Sequence, residues 1–175
     1  CDFWTWRLEL FRRLFFAHQK LLGEGLELHL SERTTRDRNH GIAETFTYDI
    51  FLPNQRAYAG YVSLRTGESP EIYYLGHIGY RVNPPYRGFG LAARAVRALT
   101  PLILDERFYS LSITTDTDNI PSRKTCENLG CVLENIVPVP RKYRELCMHS
   151  PAKCRYIYFP RQSDAERTVL HEPAG

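Results

Sequence analysis

The sequence predicts one mixed α/β domain built around a single central sheet. Strand-like segments come first along the chain, and helix-like segments then alternate with shorter strands. The 175 residues suit one domain with a short appendage, and 43% of them are hydrophobic. Charged residues make up 25%, while Gly and Pro, at 11 each, are not enriched. This composition excludes a disordered, fibrous or low-complexity chain.

The N-terminal stretch predicts an amphipathic helix over residues 2–22. Apolar side chains recur there at steps of three, four or seven, and Gly23 is a natural stop. Charged residues interrupt the apolar run, so the stretch does not resemble a signal peptide. We expect its apolar face to pack on the domain or on a second subunit, and the second case would give a homodimer. A helix lying on a membrane surface is the alternative.

Alternating and β-rich segments predict an antiparallel meander in the first half of the chain. Short turns containing Pro, Asn or Gly separate them, as is usual between antiparallel strands. The expected strands are 26–31, 42–52, 57–65 and 72–82, with a polar loop at 34–40 and turns at 53–55 and 67–70.

The hydrophobic period changes to that of a helix in the second half of the chain. Residues 88–104 place apolar side chains on one face, and Pro101 predicts a kink or an early stop. The remaining expected elements are strands at 111–115, 131–137 and 155–159, a helix at 121–129 and a loop at 138–151. The predicted organisation is an N-terminal helix at 1–24, the domain at 25–160 and a polar tail at 161–175.

Charge and cysteine content narrow the classes of partner. The net charge of +3 gives no case for nucleic acid, but it leaves room for a local basic site that binds an anionic cofactor. Five cysteines, an odd number, favour reduced thiols in a cytoplasmic protein over a disulfide framework.

No apolar run approaches the ~20 residues of a membrane span. No metal is expected; a zinc site at Cys147, His149 and Cys154 is the alternative.

A glycine-rich turn between a strand and a helix is the most informative segment. It follows Val82 and two prolines and contains Arg87-Gly-Phe-Gly90. Amides at a helix start have no partners within the helix, and glycine lets a ligand come close to the backbone. The helix dipole and the guanidinium both favour negative charge. The segment therefore predicts a pyrophosphate cradle, with a tight strand-to-helix connection as the alternative.

A second polar segment opens the next predicted helix. Asn119 and Ser122 lie at its first turn, and Pro121 suits that position. Asp118 or Asn119 is expected to cap the helix by accepting amide hydrogen bonds. A capping role does not exclude contact with a ligand.

The two segments, in this order, resemble the GNAT superfamily of acyl-CoA-dependent N-acyltransferases. The superfamily motif Gln/Arg-x-x-Gly-x-Gly/Ala fits Arg87-Gly-Phe-Gly90-Leu-Ala92 at every fixed position. Its second motif fits Asn119, Ser122 and Leu129-Gly130-Cys131. The resemblance covers residues 25–160 and is strongest to a bacterial branch similar to the ribosomal-protein acetyltransferases.

The resemblance implies a fold and a reaction. In such a fold the sheet is mostly antiparallel, and the strand holding Tyr80 to Val82 splays from the strand at 111–115. Pantetheine would pair with the backbone near Val82, and the thioester would lie in the gap. The amine of a small molecule or peptide would attack acetyl-CoA directly, and no metal would take part. The residues expected to contact coenzyme A are Tyr80, Arg81, Val82, Arg87, Gly88, Phe89, Gly90, Leu91, Ala92, Asn119 and Ser122.

The acid–base step limits the catalytic candidates. Deprotonating an alkyl ammonium at pH 7 costs about 4.6 kcal/mol, whereas an α-ammonium near pKa 8 costs about 1.4 kcal/mol. A base is therefore more useful for a lysine-like acceptor. His77, on the strand that leads to the cradle, is one candidate, and packing in the sheet is its alternative role. Glu44 and Asp116 are further candidates, with a solvated carboxylate and a turn contact as their alternatives.

The proton donor for the leaving thiolate is less clearly defined. The superfamily often has Tyr seven residues after the Asn, and this chain has Cys126 there. Cys126 could donate a proton or fill the core, while Ser122 or Tyr80 could act instead. The basic loop 141–144 could steer an anionic acceptor or be a solvated surface. If nothing replaces the tyrosine, a non-catalytic module that binds coenzyme A is the alternative function. The candidate catalytic residues are His77, Tyr80, Ser122, Cys126 and Glu44.

Overall fold

The computed structural model describes residues 18–37, 40–53 and 56–160. Its strands are β1 (Lys20–Gly23), β2 (Leu26–Asp37), β3 (Ile42–Leu52), β4 (Ala57–Thr66), β5 (Ile78–Val82), β6 (Leu111–Asp116), β7 (Val132–Pro138) and β8 (Ala152–Tyr158). Its α-helices are α1 (Pro70–Leu75), α2 (Leu91–Ala98), α3 (Thr100–Asp105) and α4 (Ile120–Asn128). Short 3₁₀ turns occupy Pro84–Tyr86 and Arg141–Tyr143.

The eight described strands form one sheet in the order β1-β2-β3-β4-β5-β6-β8-β7. Every neighbouring pair is antiparallel except β5 and β6, which run parallel. The connection from β5 to β6 contains α2 and α3, because parallel neighbours need a long crossover. The predicted mixed α/β domain with one central, mostly antiparallel sheet is therefore confirmed.

One hydrophobic core lies between the sheet and the helices α2, α3 and α4. Strand alternation supplies the sheet side, with Tyr48 and Ile50 of β3 fully buried beside Leu64 of β4. The helices add small and branched residues, such as Ala95 and Ile103. The buried alanines of α2 have small side chains, which lets the helix backbone pack close to the sheet.

Two predicted segments differ from the structure. The strand expected over 72–82 is wrong in its first half, which forms α1 instead. Ser69 caps this helix by accepting the amide hydrogen of Ile72, and Pro70 occupies its first turn. The loop expected at 34–40 is wrong at its start, because β2 continues to Asp37 against β3.

Other differences concern helices. Pro101 does end the regular helix of 88–104, which divides into α2 and α3 around Leu99. The N-terminal helix lies outside the described residues except at its end, where β1 (Lys20–Gly23) replaces helix by pairing with β2. The predicted tail at 161–175 also lies outside the described residues.

Candidate active site

The parallel strands β5 and β6 touch at one end and separate at the other. Their ladder has one bridge, Ile78 opposite Ile113, preceded by an amide-to-carbonyl bond from His77 to Ser112 of 2.8 Å. Past this bridge β5 pairs only with β4 among the described residues, and Val82 lies opposite Gly60. The two strands therefore enclose an open gap at their carboxyl ends, as the resemblance implied.

The pleat of β5 decides which backbone groups face this gap. The carbonyl of His77 accepts the amide of Arg65, and the amide of Asn83 donates to the carbonyl of Ala59, so within β5 the backbone groups of Gly79 and Arg81 point towards β4. The amide of His77, which precedes β5, is the exception and donates to Ser112. Because backbone groups alternate along a strand, those of Tyr80 and Val82 point towards β6. The Val82 carbonyl accepts a bond of 2.9 Å from Nε of Arg87. Tyr80 therefore offers the gap its amide and carbonyl, while the Val82 carbonyl is engaged.

The start of α2 presents backbone amides to open space. Gly88 and Gly90 have φ values of 88° and 67°, which favour glycine, and nothing lies within 4 Å of a Cβ placed on either. Within the described ranges, the amides of residues 88–92 have no hydrogen-bond acceptor; the amide of Arg87 donates to the carbonyl of Pro84 at 3.3 Å. The amides that are open to a ligand therefore begin at Gly88, one residue after the predicted start at Arg87.

These donors suit a pyrophosphate. Residues 87–92 contain one guanidinium and no carboxylate, and the helix dipole adds positive potential at its start. Phe89 is 71% exposed beside them, and Arg81 is exposed on β5. Leu91 and Ala92 are buried, so they anchor the turn and contribute only backbone to its surface.

A tyrosine from β5 reaches across the gap to α4. Its hydroxyl lies 2.9 Å from Oγ of Ser122 and 4.0 Å from Sγ of Cys126, and it donates to the Ser122 carbonyl at 3.3 Å. Burial raises the pKa of Tyr80, and the neighbouring Cys126 raises it further, while the bond from Ser122 opposes them. The phenol therefore keeps its proton at neutral pH.

The cysteine in the superfamily's tyrosine position is a core residue. Cys126 is 0% exposed and packs in the hydrophobic core. A hydrogen bond from Cys131 lowers the pKa of Cys126, and burial opposes that effect. The hydroxyl of Tyr80 thus lies beside Cys126, the position at which the superfamily often has a tyrosine.

Asn119 performs the capping role predicted for it. Its Oδ1 accepts the amide of Ser122 at 3.1 Å and so closes the first turn of α4. This bond orients Ser122 towards the phenol of Tyr80, while the asparagine itself stays exposed.

His77 lies at the closed end of the strand pair. The ring is 6% exposed, and its Nδ1 accepts the amide of Ser112 at 3.1 Å, which assigns the hydrogen of neutral imidazole to Nε2. Nε2 is buried, lies 3.4 Å from Oε1 of Glu68 and has no hydrogen-bond partner among the described residues. The residue lines a cavity of about 410 Å³ beside α1. Burial lowers the pKa of His77, and Glu68 partly offsets this. The structure therefore separates His77 from the tyrosine–serine pair.

The two carboxylates proposed as bases are already engaged. Glu44 pairs with Arg33 at 2.9 Å and lies opposite Thr66, beyond the closed end of the strand pair. Asp116 ends β6 at the open end and accepts a bond of 2.5 Å from Lys153. Burial raises the pKa of Asp116, but the bonds from Lys153 and Ser150 outweigh it, so the net pKa is lowered.

Sequence reasoning missed Arg65 of β4. The available sequence signal was strand alternation, which places Arg65 on the face opposite the buried Leu64. Its guanidinium donates to the carbonyl of Gly76 at 3.2 Å and lies against Gly79, just past the last bridge of the strand pair. The sequence could not show that a side chain from β4 leans over β5.

The zinc alternative finds no ligand set in the described parts of the chain. No three His, Cys, Asp or Glu side chains gather there in a way that could hold a metal ion. Cys147 and Cys154 are buried free thiols, while His149 is exposed. The four described cysteines are unpaired thiols, as the sequence predicted.

None of the helices in the described ranges has the length and apolarity to cross a membrane.

Solved structures with a similar fold are acetyltransferases. A GNAT-family acetyltransferase from Bacillus anthracis has a TM-score of 0.51 and 19% identity, covering 66% of each chain. A ribosomal-protein-S5-alanine acetyltransferase from Vibrio fischeri has a TM-score of 0.57 and 14% identity, covering 81% of this chain and 96% of its own. The microcin C7 self-immunity acetyltransferase MccE, solved with acetyl-CoA and AMP, has a TM-score of 0.51 and 20% identity, covering 66% and 61%.

At these identities the structural likeness establishes the fold. The chain spans 66% of the Bacillus anthracis protein and 61% of MccE. No curated protein sequence matches the chain.

The acetyltransferase (GNAT) domain family matches residues 13–132, which is more than half of the 175 residues. The chain therefore belongs to the GNAT acetyltransferase family.

Proposed function

We propose that this protein transfers an acetyl group from acetyl-CoA to a primary amine by direct attack. One observation carries the proposal: a row of unbonded amides at the start of α2 lies beside two parallel strands that separate after a single bridge. The amides suit a diphosphate, and the gap suits an extended arm that ends in a thioester. MccE, a structure of the same fold, was solved with acetyl-CoA.

The turn before α2 would bind the pyrophosphate of coenzyme A. Residues 88–92 would donate their amides, and Arg87 would contribute the guanidinium nitrogens that it does not use on Val82. The backbone of Tyr80 would pair with the pantetheine arm, because its amide and carbonyl face the gap. When bound, acetyl-CoA supplies an activated acyl group.

Tyr80 would supply the proton for the leaving thiolate. Its phenol stays protonated at neutral pH, and its hydroxyl is held 2.9 Å from Ser122 at the edge of the gap. A hydroxyl that already lies in a hydrogen-bonded pair loses little entropy when it donates to the sulfur. Ser122, capped in place by Asn119, would position the phenol.

The positions of the candidate bases favour an α-amine as acceptor. His77 and Glu44 lie towards the closed end of the strand pair, and Asp116 is paired with Lys153. An α-ammonium costs about 1.4 kcal/mol to deprotonate at pH 7, about 3 kcal/mol less than an alkyl ammonium. A site to which the described residues bring no dedicated base therefore suits the N-terminus of a peptide or protein. The Vibrio fischeri relative is described as acting on an alanine of a ribosomal protein.

The test is release of free thiol from acetyl-CoA in the presence of amines. The full chain is incubated with acetyl-CoA and either tripeptide amides, which carry an α-amine, or alkyl amines of similar size. We expect thiol release with peptides at pH 7, and mass spectrometry should find the acetyl group on the α-nitrogen. Failure to bind coenzyme A would contradict the proposal. Tight binding without turnover on any amine would instead support the non-catalytic module, which the buried Cys126 keeps as the second candidate.

A further inference from the structure

Arg65, which has no carboxylate partner in the described part of the chain, lies at the point where β5 and β6 separate. Arg65 projects from β4 on the face opposite Tyr80, and its guanidinium crosses β5 at Gly79. Gly79 is the first residue after the bridge between Ile78 and Ile113. The arginine therefore flanks the gap on the side from which an amine would enter under the proposed function.

Gly79 makes this position available to the guanidinium. A Cβ on Gly79 would lie 2.9 Å from an Nη atom of Arg65 and 2.9 Å from Oγ of Ser63. Such contacts are too short for a real side chain, so any larger residue would displace the arginine. The bond of 3.2 Å to the carbonyl of Gly76 holds the guanidinium from its other side.

The charge of Arg65 is only partly compensated. Among the described residues its guanidinium makes one hydrogen bond, to a neutral carbonyl, and no ion pair. Burial lowers the pKa of Arg65, with the neighbouring Tyr61 opposing that effect. Partly buried arginines usually pair with a carboxylate or phosphate, because desolvation of the charge is otherwise uncompensated. Among the described residues no carboxylate forms an ion pair with Arg65, so its guanidinium is open to an anion from outside the chain.

We propose that Arg65 binds a carboxylate of the acceptor, so that the acceptor is an amine with an acidic group nearby, such as an acidic peptide N-terminus. The inference rests on the proposed acetyl transfer. The planar guanidinium presents a fork of donors that matches both oxygens of a carboxylate. Anchoring the carboxylate there would hold the amine at the mouth of the gap, opposite the phenol of Tyr80.

The test compares acceptors that differ only in one charge. The peptides Ser-Asp-Ala-amide and Ser-Asn-Ala-amide have the same N-terminus and nearly the same size. A second pair, 4-aminobutanoate and 4-aminobutanamide, tests whether a small-molecule carboxylate is sufficient. Binding of each to the full chain saturated with coenzyme A is measured by calorimetry, and kcat and KM are measured with acetyl-CoA.

Three variants separate a specific contact from general charge. Arg65→Gln removes the charge and the fork, while Arg65→Lys keeps the charge without the fork. Arg107→Gln removes an exposed arginine that follows α3 and serves as the matched control for net charge. Circular dichroism and coenzyme A affinity check that each variant is folded.

We expect the wild type to bind the acidic member of at least one pair about tenfold more tightly, as a charge-assisted bond allows. Arg65→Gln should abolish this preference by raising KM for the acidic acceptor while leaving kcat and the neutral acceptor within about twofold. Arg65→Lys should keep part of the preference, and Arg107→Gln all of it. An equal affinity for both members of both pairs, or a preference unchanged in Arg65→Gln, would overturn the assignment.

The binding measurements also distinguish this inference from the proposed function. If acidic peptides bind through Arg65 but no acetyl group is transferred, the proposed function fails and the arginine site stands. If acetyl transfer proceeds equally on both members of each pair, the proposed function stands and the arginine site fails.

Discussion

The two ends of the β5–β6 pair differ in how the strands pair and in what their polar groups contact. At the amino end the strands are bridged, and the buried His77 accepts the amide of Ser112. At the carboxyl end the strands separate, and Tyr80 spans the gap to reach Ser122 on α4. The closed end pairs the two strands and engages Nδ1 of His77, although Nε2 has no hydrogen-bond partner among the described residues, whereas the open end leaves amides for a ligand.

Candidate functional residues in such a fold can be ranked by whether they lie at the closed or the open end of the strand pair. A titratable side chain at the closed end is bonded to its neighbours, so its structural role explains its environment. At the open end the amides of residues 88–92 have no acceptor in the described ranges, and ligand binding becomes the better explanation of their position. The following three predictions test this contrast, in decreasing order of expected effect.

Gly90→Glu should cause the largest loss at the open end. The added side chain enters open space, so it meets no protein atom, but its carboxylate would face the phosphates of coenzyme A. Like charges in a binding site cost several kcal/mol, so we expect coenzyme A affinity to fall about 10³-fold. Calorimetric titration with coenzyme A measures the effect.

The matched control for this variant is Gly130→Glu. Gly130 has a similar φ of 74°, and nothing lies within 4 Å of a Cβ placed on it. It follows the other end of α4, so the backbone strain is similar while the start of α2 is untouched. Equal affinity in the two variants would show that strain, and not the cradle, caused any loss.

Tyr80→Phe should reduce turnover at the open end with little effect on binding. The ring remains packed against the core, but the hydroxyl bonded to Ser122 is lost. General acid catalysis contributes ~10²–10⁴-fold, and a thiolate is a good leaving group, so we expect kcat to fall about 10²-fold. Steady-state thiol release gives kcat, and unchanged coenzyme A affinity confirms the fold. A variant that retained the wild-type kcat would remove Tyr80 from the mechanism.

His77→Asn should alter stability at the closed end and leave turnover within about twofold. The Oδ1 of the new asparagine takes the place of Nδ1 of His77 as the acceptor for the Ser112 amide. Unlike imidazole, the asparagine side chain does not titrate near neutrality. Burial lowers the pKa of His77 below 6.5, so its neutral form is favoured by folding. That stability is present above pH 6.5 and is lost as pH falls below this value.

Thermal unfolding between pH 8 and pH 5 measures this contribution. The Tm of the wild type should fall across the acid part of the range, and His77→Asn should fall less steeply. His149→Gln, at an exposed histidine, is the control and should follow the wild type. A loss of turnover in His77→Asn comparable to that of Tyr80→Phe would place the base at the closed end after all.

Much of the fold was predictable because local pattern and tertiary packing agree. Strand β3 was predicted with its observed bounds, since alternation places Tyr48 and Ile50 in the core and their neighbours outside. Helix α4 was predicted within one residue at each end from its proline and glycine. Only the first half of the strand predicted at 72–82 was wrong, because its aromatic residues suggested a strand whereas the Ser69 cap and Pro70 start a helix.

The candidate site was predictable in part. The glycines at 88 and 90 and the cap at Asn119 are local features, and the structure places them at the two helix starts beside the gap. The pairing of Tyr80 with Ser122 joins residues 42 apart in the chain, so no local pattern could reveal it. Arg65 was missed for the same reason, since its position depends on how β4 lies against β5.

Where helices could start with open amides followed from local sequence alone, because that depends on glycine, proline and capping residues close together in the chain. The segments around Arg87 and Asn119 together carried the resemblance to the family, which the family match over residues 13–132 confirmed. The resemblance implied the separated strand pair, but which side chains border it could be read only from the folded chain, because side-chain placement depends on neighbours far apart in the sequence. The fold puts Tyr80 and Arg65 at the gap and His77 in the closed end, since each side chain takes its role from the strands and helices around it.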